Sequence, residues 1–286
     1  MRQKTIGMLA ILGASIMWAL ESIFAKLAFS ASGFIQTFII RAIIISLIAL
    51  SYVLITKGSI KVGKKQISVL VYLALAGTVF GDTLYLYALT KTAVVNAVLV
   101  AHLQPVFIAI IGYFILKEER LSAFDYIGIT LMILAGLLVT TKTISNLLDF
   151  NFGSFGDIMV LLSTVAWATT AIATRKYLRE LNAGTLSFYR YSISSLILLV
   201  YFMFSFSQIS LNIYQILLGV VVGIGVILYY EGLRNIKAAQ VSALELSSPF
   251  FAALLGFFVL GEGITIMQFG GMILLFAGVY FISKDE

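Results

Sequence analysis

Apolar runs of about 20 residues follow one another along the whole chain, separated only by short polar stretches. A helix of that length crosses a hydrocarbon layer ~30 Å thick. Inside such a layer every backbone N–H and C=O must be bonded within the protein, so only helices and closed barrels span it. Barrel strands alternate in polarity at every second residue, whereas these runs are continuously apolar, so helices are indicated. The expected fold is an all-α integral membrane protein with ten transmembrane helices. The spans read as about 5–29, 33–56, 66–90, 92–116, 122–142, 154–177, 184–206, 212–233, 238–260 and 264–283. Composition agrees: with 61% hydrophobic and 11% charged residues, a soluble domain of 286 residues would expose far too much apolar surface.

The charges sort by side. With the N-terminus on the cytoplasmic side, the inner segments carry fourteen Lys and Arg and the outer segments three, Lys26, Lys91 and Lys142. Cytoplasmic loops of membrane proteins are enriched in Lys and Arg, so both termini are expected in the cytoplasm and the chain in the cell membrane. The same rule accounts for the net charge of +6 without a nucleic-acid partner. The first apolar run continues through Phe29 and the next follows at once, which reads as an uncleaved first helix rather than a signal peptide. Absence of cysteine excludes a disulfide framework, and a single histidine excludes a His-cluster metal site. No metal and no cofactor are expected. No GxxxxGK[ST] motif is present, so the chain is not expected to hydrolyse ATP.

The segment PVFIAIIGYFILKEE from Pro105 returns as PFFAALLGFFVLGEG from Pro249, with seven of fifteen positions identical and the chain's two prolines in register. Trp18 aligns with Trp167, Lys26 with Arg175 and Arg41 with Arg190, each 149 residues apart. Residues 1–145 and 150–286 thus read as two copies of one five-helix unit. Five is odd, so the second copy runs through the membrane in the opposite sense. Two inverted-topology repeats around a shared midplane site are the architecture of secondary transporters.

Both copies carry a family resemblance. The stretches ALTKTAVVNAVLVAHLQPVFIAIIGYFILKEERL from Ala88 and GLRNIKAAQVSALELSSPFFAALLGFFVLGEGIT from Gly232 resemble the signature of EamA-type transporters of the drug/metabolite transporter superfamily. The motifs FIIRAII around Arg41, FYRYSIS around Arg190, and the glycine-rich YIGITLMILAG and FGGMILLFAG complete the pattern. The resemblance implies ten helices around a central cavity and transport of small metabolites, with export of amino acids common among bacterial members. Three positions depart from it. Lys117 stands where the family has Gly before Glu118, and His102 and Glu245 stand where small or apolar residues are usual.

Ionisable side chains within spans are costly and usually face the bundle interior or a wet cavity. Counting depth along the helices puts Glu21, Arg41 and Asp82 in the outer half and Arg190, Glu231 and Glu245 in the inner half. Two ion-paired clusters follow as an expectation, Glu21–Arg41–Asp82 and Arg190–Glu231–Glu245, each closing one gate. Ser242, Glu245 and Ser248 recur every third residue as one polar stripe, with Glu245 suited to a substrate ammonium or a coupling proton. The candidate substrate-binding set is Trp18, Asp82, Tyr85, His102, Trp167, Tyr229, Tyr230 and Glu245, combining charge with aromatic and hydroxyl surface. Pro105 and Pro249 each remove a backbone hydrogen bond and are candidate hinges. The expected function is alternating-access export of amino acids or related small metabolites by a self-sufficient monomer in the lipid bilayer, with protons as a candidate second solute. Import of a sugar or organic cation is the alternative within transport. An intramembrane enzyme or scaffold is the alternative from another class; the expectation is that the chain is not an enzyme, because no clustered acid–base or metal constellation is visible.

Overall fold

The computed structural model describes residues 2–116, 123–149, 153–178, 180–204, 211–235, 244–245 and 247–282. The helices are α1 (Arg2–Ala31), α2 (Phe34–Ile55), α3 (Lys64–Ala88), α4 (in two pieces, Val94–Ala101 and Gln104–Leu116) and α5 (Ala123–Thr141). A short turn of helix at Ile144–Leu148 leads on to α6 (Phe155–Tyr177), α7 (Ala183–Phe204), α8 (Ile213–Asn235), α9 (Ser247–Leu260) and α10 (Ile266–Ile282). Among the described residues there is no strand. Seven helices are long and apolar enough to cross a membrane, and α5, α9 and α10 each contribute a shorter apolar segment. Residues 238–243 and 246 of the expected ninth span, Ser242 among them, lie outside the described residues, as do Lys117 and Glu118.

Large apolar side chains point outward all round the bundle, among them Leu54, Phe114, Leu196, Val200 and Phe258. Such a belt suits contact with lipid tails. The interior face of α1 is instead rich in small residues: Ala10, Ala14, Ala19, Ala25 and Ala28 are all buried, beside Ile11 and Ile23. Where the hydrophobic effect does not drive helices together, small residues let backbones approach and gain dispersion contacts. On α8, a Cβ at Gly232 would collide with the Ile11 side chain of α1. On α10, a Cβ at Gly271 would stand 3.0 Å from the Ala135 carbonyl of α5.

The principal helix contacts join residues 2–141 to residues 155–282: α1 with α8 and α9, α6 with α3 and α4, α2 with α7 and α8, α3 with α7, α4 with α9, and α5 with α10. The set is unchanged when α1 to α5 are exchanged with α6 to α10 in order. The two halves therefore interlock.

Two local departures from regular helix shape the interior. Leu73–Asp82 within α3 is π-helical. Its carbonyls accept side-chain donors from neighbouring helices: Ala74 from Ser194 Oγ (3.2 Å), Gly77 from Trp167 Nε1 (3.2 Å) and Gly81 from Ser163 Oγ (2.8 Å). Widened turns of this kind are frequent at functional sites. The second departure is the break in α4, where His102 and Leu103 form a turn before the helix resumes at Gln104. Pro105 lies in the first turn of the new piece, where its missing N–H is not needed by the helix. It follows a break instead of kinking a continuous helix. Pro249 is the third residue of the segment Ser247–Leu260, and residues 244–245 ahead of it are also helical.

Candidate functional site

Asp82 closes the π-helical segment and receives three donors. Trp167 Nε1 reaches its Oδ1 at 2.9 Å, Arg190 Nη2 the same oxygen at 3.3 Å, and Arg41 Nη1 its Oδ2 at 3.2 Å. Arg41 Nη2 also donates to Glu21 Oε1 at 2.5 Å. Arg190 Nε donates to Thr78 Oγ1 at 2.8 Å. Glu21, Arg41 and Asp82 are buried, at 8%, 2% and 3% exposure, so the charges compensate one another and not through water. The chain of charges runs Glu21, Arg41, Asp82, Arg190, alternating in sign and summing to zero. Removing one partner of such a buried pair typically costs about 3–5 kcal/mol, because the remaining charge is uncompensated.

The surrounding residues explain how four long polar side chains fit there. Glycine at position 77 leaves room for Arg190, whose Nη2 would lie 3.0 Å from a Cβ, and Gly81 does the same for the Trp167 indole at 2.9 Å. The Tyr191 ring lies between both guanidiniums, 5.9 Å from Arg41 Cζ and 5.3 Å from Arg190 Cζ. Tyr85 packs on Trp167 with centroids 5.2 Å apart, and its hydroxyl lies 2.8 Å from Ser22 Oγ. Tyr230 faces the Arg190 guanidinium.

This arrangement corrects one expectation. Glu21, Arg41 and Asp82 are together, but Arg190 does not join Glu231 and Glu245 in a second cluster. It pairs with Asp82 in the same network. Glu231 accepts from the Tyr52 hydroxyl at 2.7 Å. Glu245 lies beside Trp18 and Tyr229, and no cation among the described residues pairs with it. Trp18 and Tyr229 meet edge to face at 6.5 Å. His102 Nδ1 lies 2.7 Å from the Val98 carbonyl and Nε2 3.2 Å from the Glu245 carbonyl, linking α4 to the segment before α9. Trp18, His102, Trp167, Arg190, Tyr229, Tyr230 and Glu245 all keep part of their surface open, although they come from helices packed on one another.

Further polar ties hold the two ends of the bundle. At one end Lys26 Nζ pairs with Glu262 Oε1 at 2.6 Å, and Glu262 Oε2 accepts from the Val94 N–H at 2.8 Å, satisfying a free donor at the start of α4. Beside them Asp157 is buried and accepts from the Asn96 amide and from Thr92 Oγ1 (3.2 Å), while Gln268 Nε2 reaches Asn96 Oδ1 at 3.3 Å. Sequence reasoning missed this network. Its visible sign was Ser154-x-x-Asp157 before an apolar run, a helix-start pattern that forms here with Asp157 N to Ser154 Oγ at 3.3 Å. At the other end Thr185 Oγ1 donates to the Ser59 carbonyl (2.9 Å) and the Tyr189 hydroxyl to the Ile60 carbonyl (3.0 Å).

A cavity of about 340 Å³ lies between α4, α5 and α6, lined by Val100, Leu103, Met132, Gly136 and Leu161. Its walls are apolar except at Thr140, whose hydroxyl donates to the Gly136 carbonyl, and at Asp157, which is already committed to Asn96 and Ser154. It suits a hydrocarbon chain and is separate from the charged network. Among the described residues no group of three His, Cys, Asp or Glu is placed to hold a metal ion.

The sequence profile of the EamA-like transporter family matches residues 5–141 and, a second time, residues 154–284. The chain belongs to the EamA-like transporter family. It is an all-helical, multi-pass membrane protein of that family. An uncharacterized transporter of Methanothermobacter thermautotrophicus is 28% identical over 227 residues, which span 78% of this EamA chain and 66% of that protein. An uncharacterized transporter of Archaeoglobus fulgidus is 23% identical over 303 residues, covering 100% of this chain and 99% of its own. Protein LicB of Haemophilus influenzae is 25% identical over 210 residues, 71% of this chain and 70% of LicB. A solved crystal structure shares the fold, with a TM-score of 0.67 at 18% identity over 96% of this chain and 95% of the other.

Proposed function

We propose that this EamA-family chain is a secondary transporter that works by alternating access and exports amino acids or related small metabolites across the cell membrane. Its two halves, 1–145 and 150–286, act as inverted repeats, with both termini in the cytoplasm, and the monomer is the working unit. The observation that carries the reading is the Glu21–Arg41–Asp82–Arg190 network, which ties α1, α2 and α3 of the first half to α7 of the second. A neutral, buried ion network between two interlocked halves can be made and broken as a unit, as a gate requires. The exchange symmetry of the helix contacts and the twofold match of the family profile support the same reading. Glu231 with Tyr52, and Lys26 with Glu262, tie the two halves to each other as well. His102, at the break in α4, and Pro105 and Pro249 mark where helix pieces reorient.

The test is counterflow in proteoliposomes against amino acids, amines and sugars, with and without a pH gradient. Saturable exchange lost in Asp82→Asn supports the reading. Full exchange in that variant removes the network from the mechanism, and no exchange of any solute by folded protein removes transport itself.

A further inference from the structure

Helix α4 packs on both α5 and α6, whereas α5 and α6 do not pack closely on each other. The gap between them is the cavity of about 340 Å³. Its floor is α4, where Val100, Leu103 and Val106 are buried. Its rims face outward: Ile133 and Leu137 on α5, and Ile158 and Leu161 on α6, are all exposed. The cavity is therefore a crevice that opens sideways, onto the same outward surface as the apolar belt of the bundle. Its two polar groups, Thr140 and Asp157, stand at one end, in the last turn of α5 and the first turn of α6, and both are already hydrogen-bonded within the protein. From Thr140 to Met132, which lines the crevice further in, the rise along α5 is about 12 Å. That lies within one leaflet of a hydrocarbon core ~30 Å thick.

We propose that this crevice holds one acyl chain of a phospholipid from the leaflet at that end, entering between α5 and α6 with its tip against α4. The surroundings decide the occupant. The rims continue the belt that lipid tails cover, so chains are always at the opening. A lining whose few polar groups are already bonded offers nothing to a polar solute, and a polar group buried there would lose its water without replacement. A void left unfilled forfeits dispersion contacts along each of its walls, and a flexible hydrocarbon chain restores them. The position of the crevice also gives the chain a role. Val100 precedes the turn at His102 and Leu103, and Val106 follows it, so a seated chain packs against both pieces of α4 and supports the break between them. Lipid composition thereby reaches a helix break inside the bundle, whatever solute is carried.

The chain has no cysteine, so single introduced cysteines report without background. The experiment places the full chain in phosphatidylcholine nanodiscs doped with a phosphatidylcholine whose acyl chain ends in a maleimide, and follows thiol addition by intact mass. Val106→Cys samples the floor of the crevice, Leu196→Cys the outward belt and Val222→Cys the sealed core. Val106→Cys should react within tenfold of Leu196→Cys and at least tenfold faster than Val222→Cys. Reaction as slow as that of Val222→Cys would overturn the proposal. So would equally fast reaction of Val106→Cys with a charged, water-soluble maleimide, which would mean that water fills the crevice. Leu161→Phe adds a ring at the rim. Combined with Val106→Cys it should slow addition at least fivefold, and combined with Leu196→Cys it should change nothing. An unchanged rate in the first combination would rule out entry between α5 and α6. The three single cysteines leave the rim intact, so their comparison decides the matter even where Leu161→Phe fails to fold.

Discussion

Asp82 is the residue on which the two halves jointly depend, since both arginines donate to it. In Asp82→Asn two guanidiniums face Glu21 alone, leaving one buried positive charge in excess. Counterflow should fall at least about tenfold and the thermal midpoint in detergent should drop by the equivalent of roughly 3 kcal/mol. Adding Arg190→Gln to Asp82→Asn restores neutrality, and the double variant should melt closer to the parent than Asp82→Asn does. Equal or lower melting of the double variant would mean that charge balance is not what holds the network. His102 gives a milder prediction: His102→Ala removes the imidazole that stands between the Val98 and Glu245 carbonyls and should slow counterflow several-fold, whereas His102→Gln keeps a donor between them and should retain more than half. That Glu21, Arg41 and Asp82 lie in the interior was legible in the sequence, because charges within apolar spans stand out. Their pairing was not. Depth counted by backbone position put Arg190 in another leaflet from Asp82, but a long arginine stem carries its head well away from its own Cα.

Helix-scale features were read unevenly for the same kind of reason. Span positions follow from hydropathy, and α5 at Ala123–Thr141 lies within the expected 122–142. The π-helical stretch of α3 leaves no periodic signature, since its extra residue per turn is stabilised by donors from α6 and α7 that only the folded bundle brings near. Pro105 was expected to bend a helix and instead opens one. Pro105→Ala should therefore leave the turn at His102–Leu103 in place and change stability by less than about 1 kcal/mol, because an N–H in the first turn has no partner within the helix. A loss of several kcal/mol on thermal unfolding would restore the kink reading. Close packing of α1 on α8 predicts more. Gly232→Val should destabilise the bundle by about 1–3 kcal/mol through overpacking against Ile11, and Ile11→Ala in the same chain should recover part of that loss. Melting curves of the three variants decide it.

At the scale of the molecule, the halves hold each other more than they hold themselves. The Lys26–Glu262 tie crosses between them at one end. Lys26→Glu and Glu262→Lys should each impair counterflow, and the double exchange should restore most of it; failure of the double variant would mean that the Val94 N–H, not Lys26, is the partner of Glu262 that matters. Interlocking also bears on how the protein is made. Trp18 on α1 packs against Gly225 on α8, 207 residues later in the chain. A ribosome adding ~5–20 residues per second needs about 10–40 s to cover that distance. For that interval α1, with its row of alanines and its buried glutamate, sits in the bilayer without its principal partner. The first half must therefore wait, half-assembled, among lipids or insertion factors, and the bundle closes only when synthesis is nearly done.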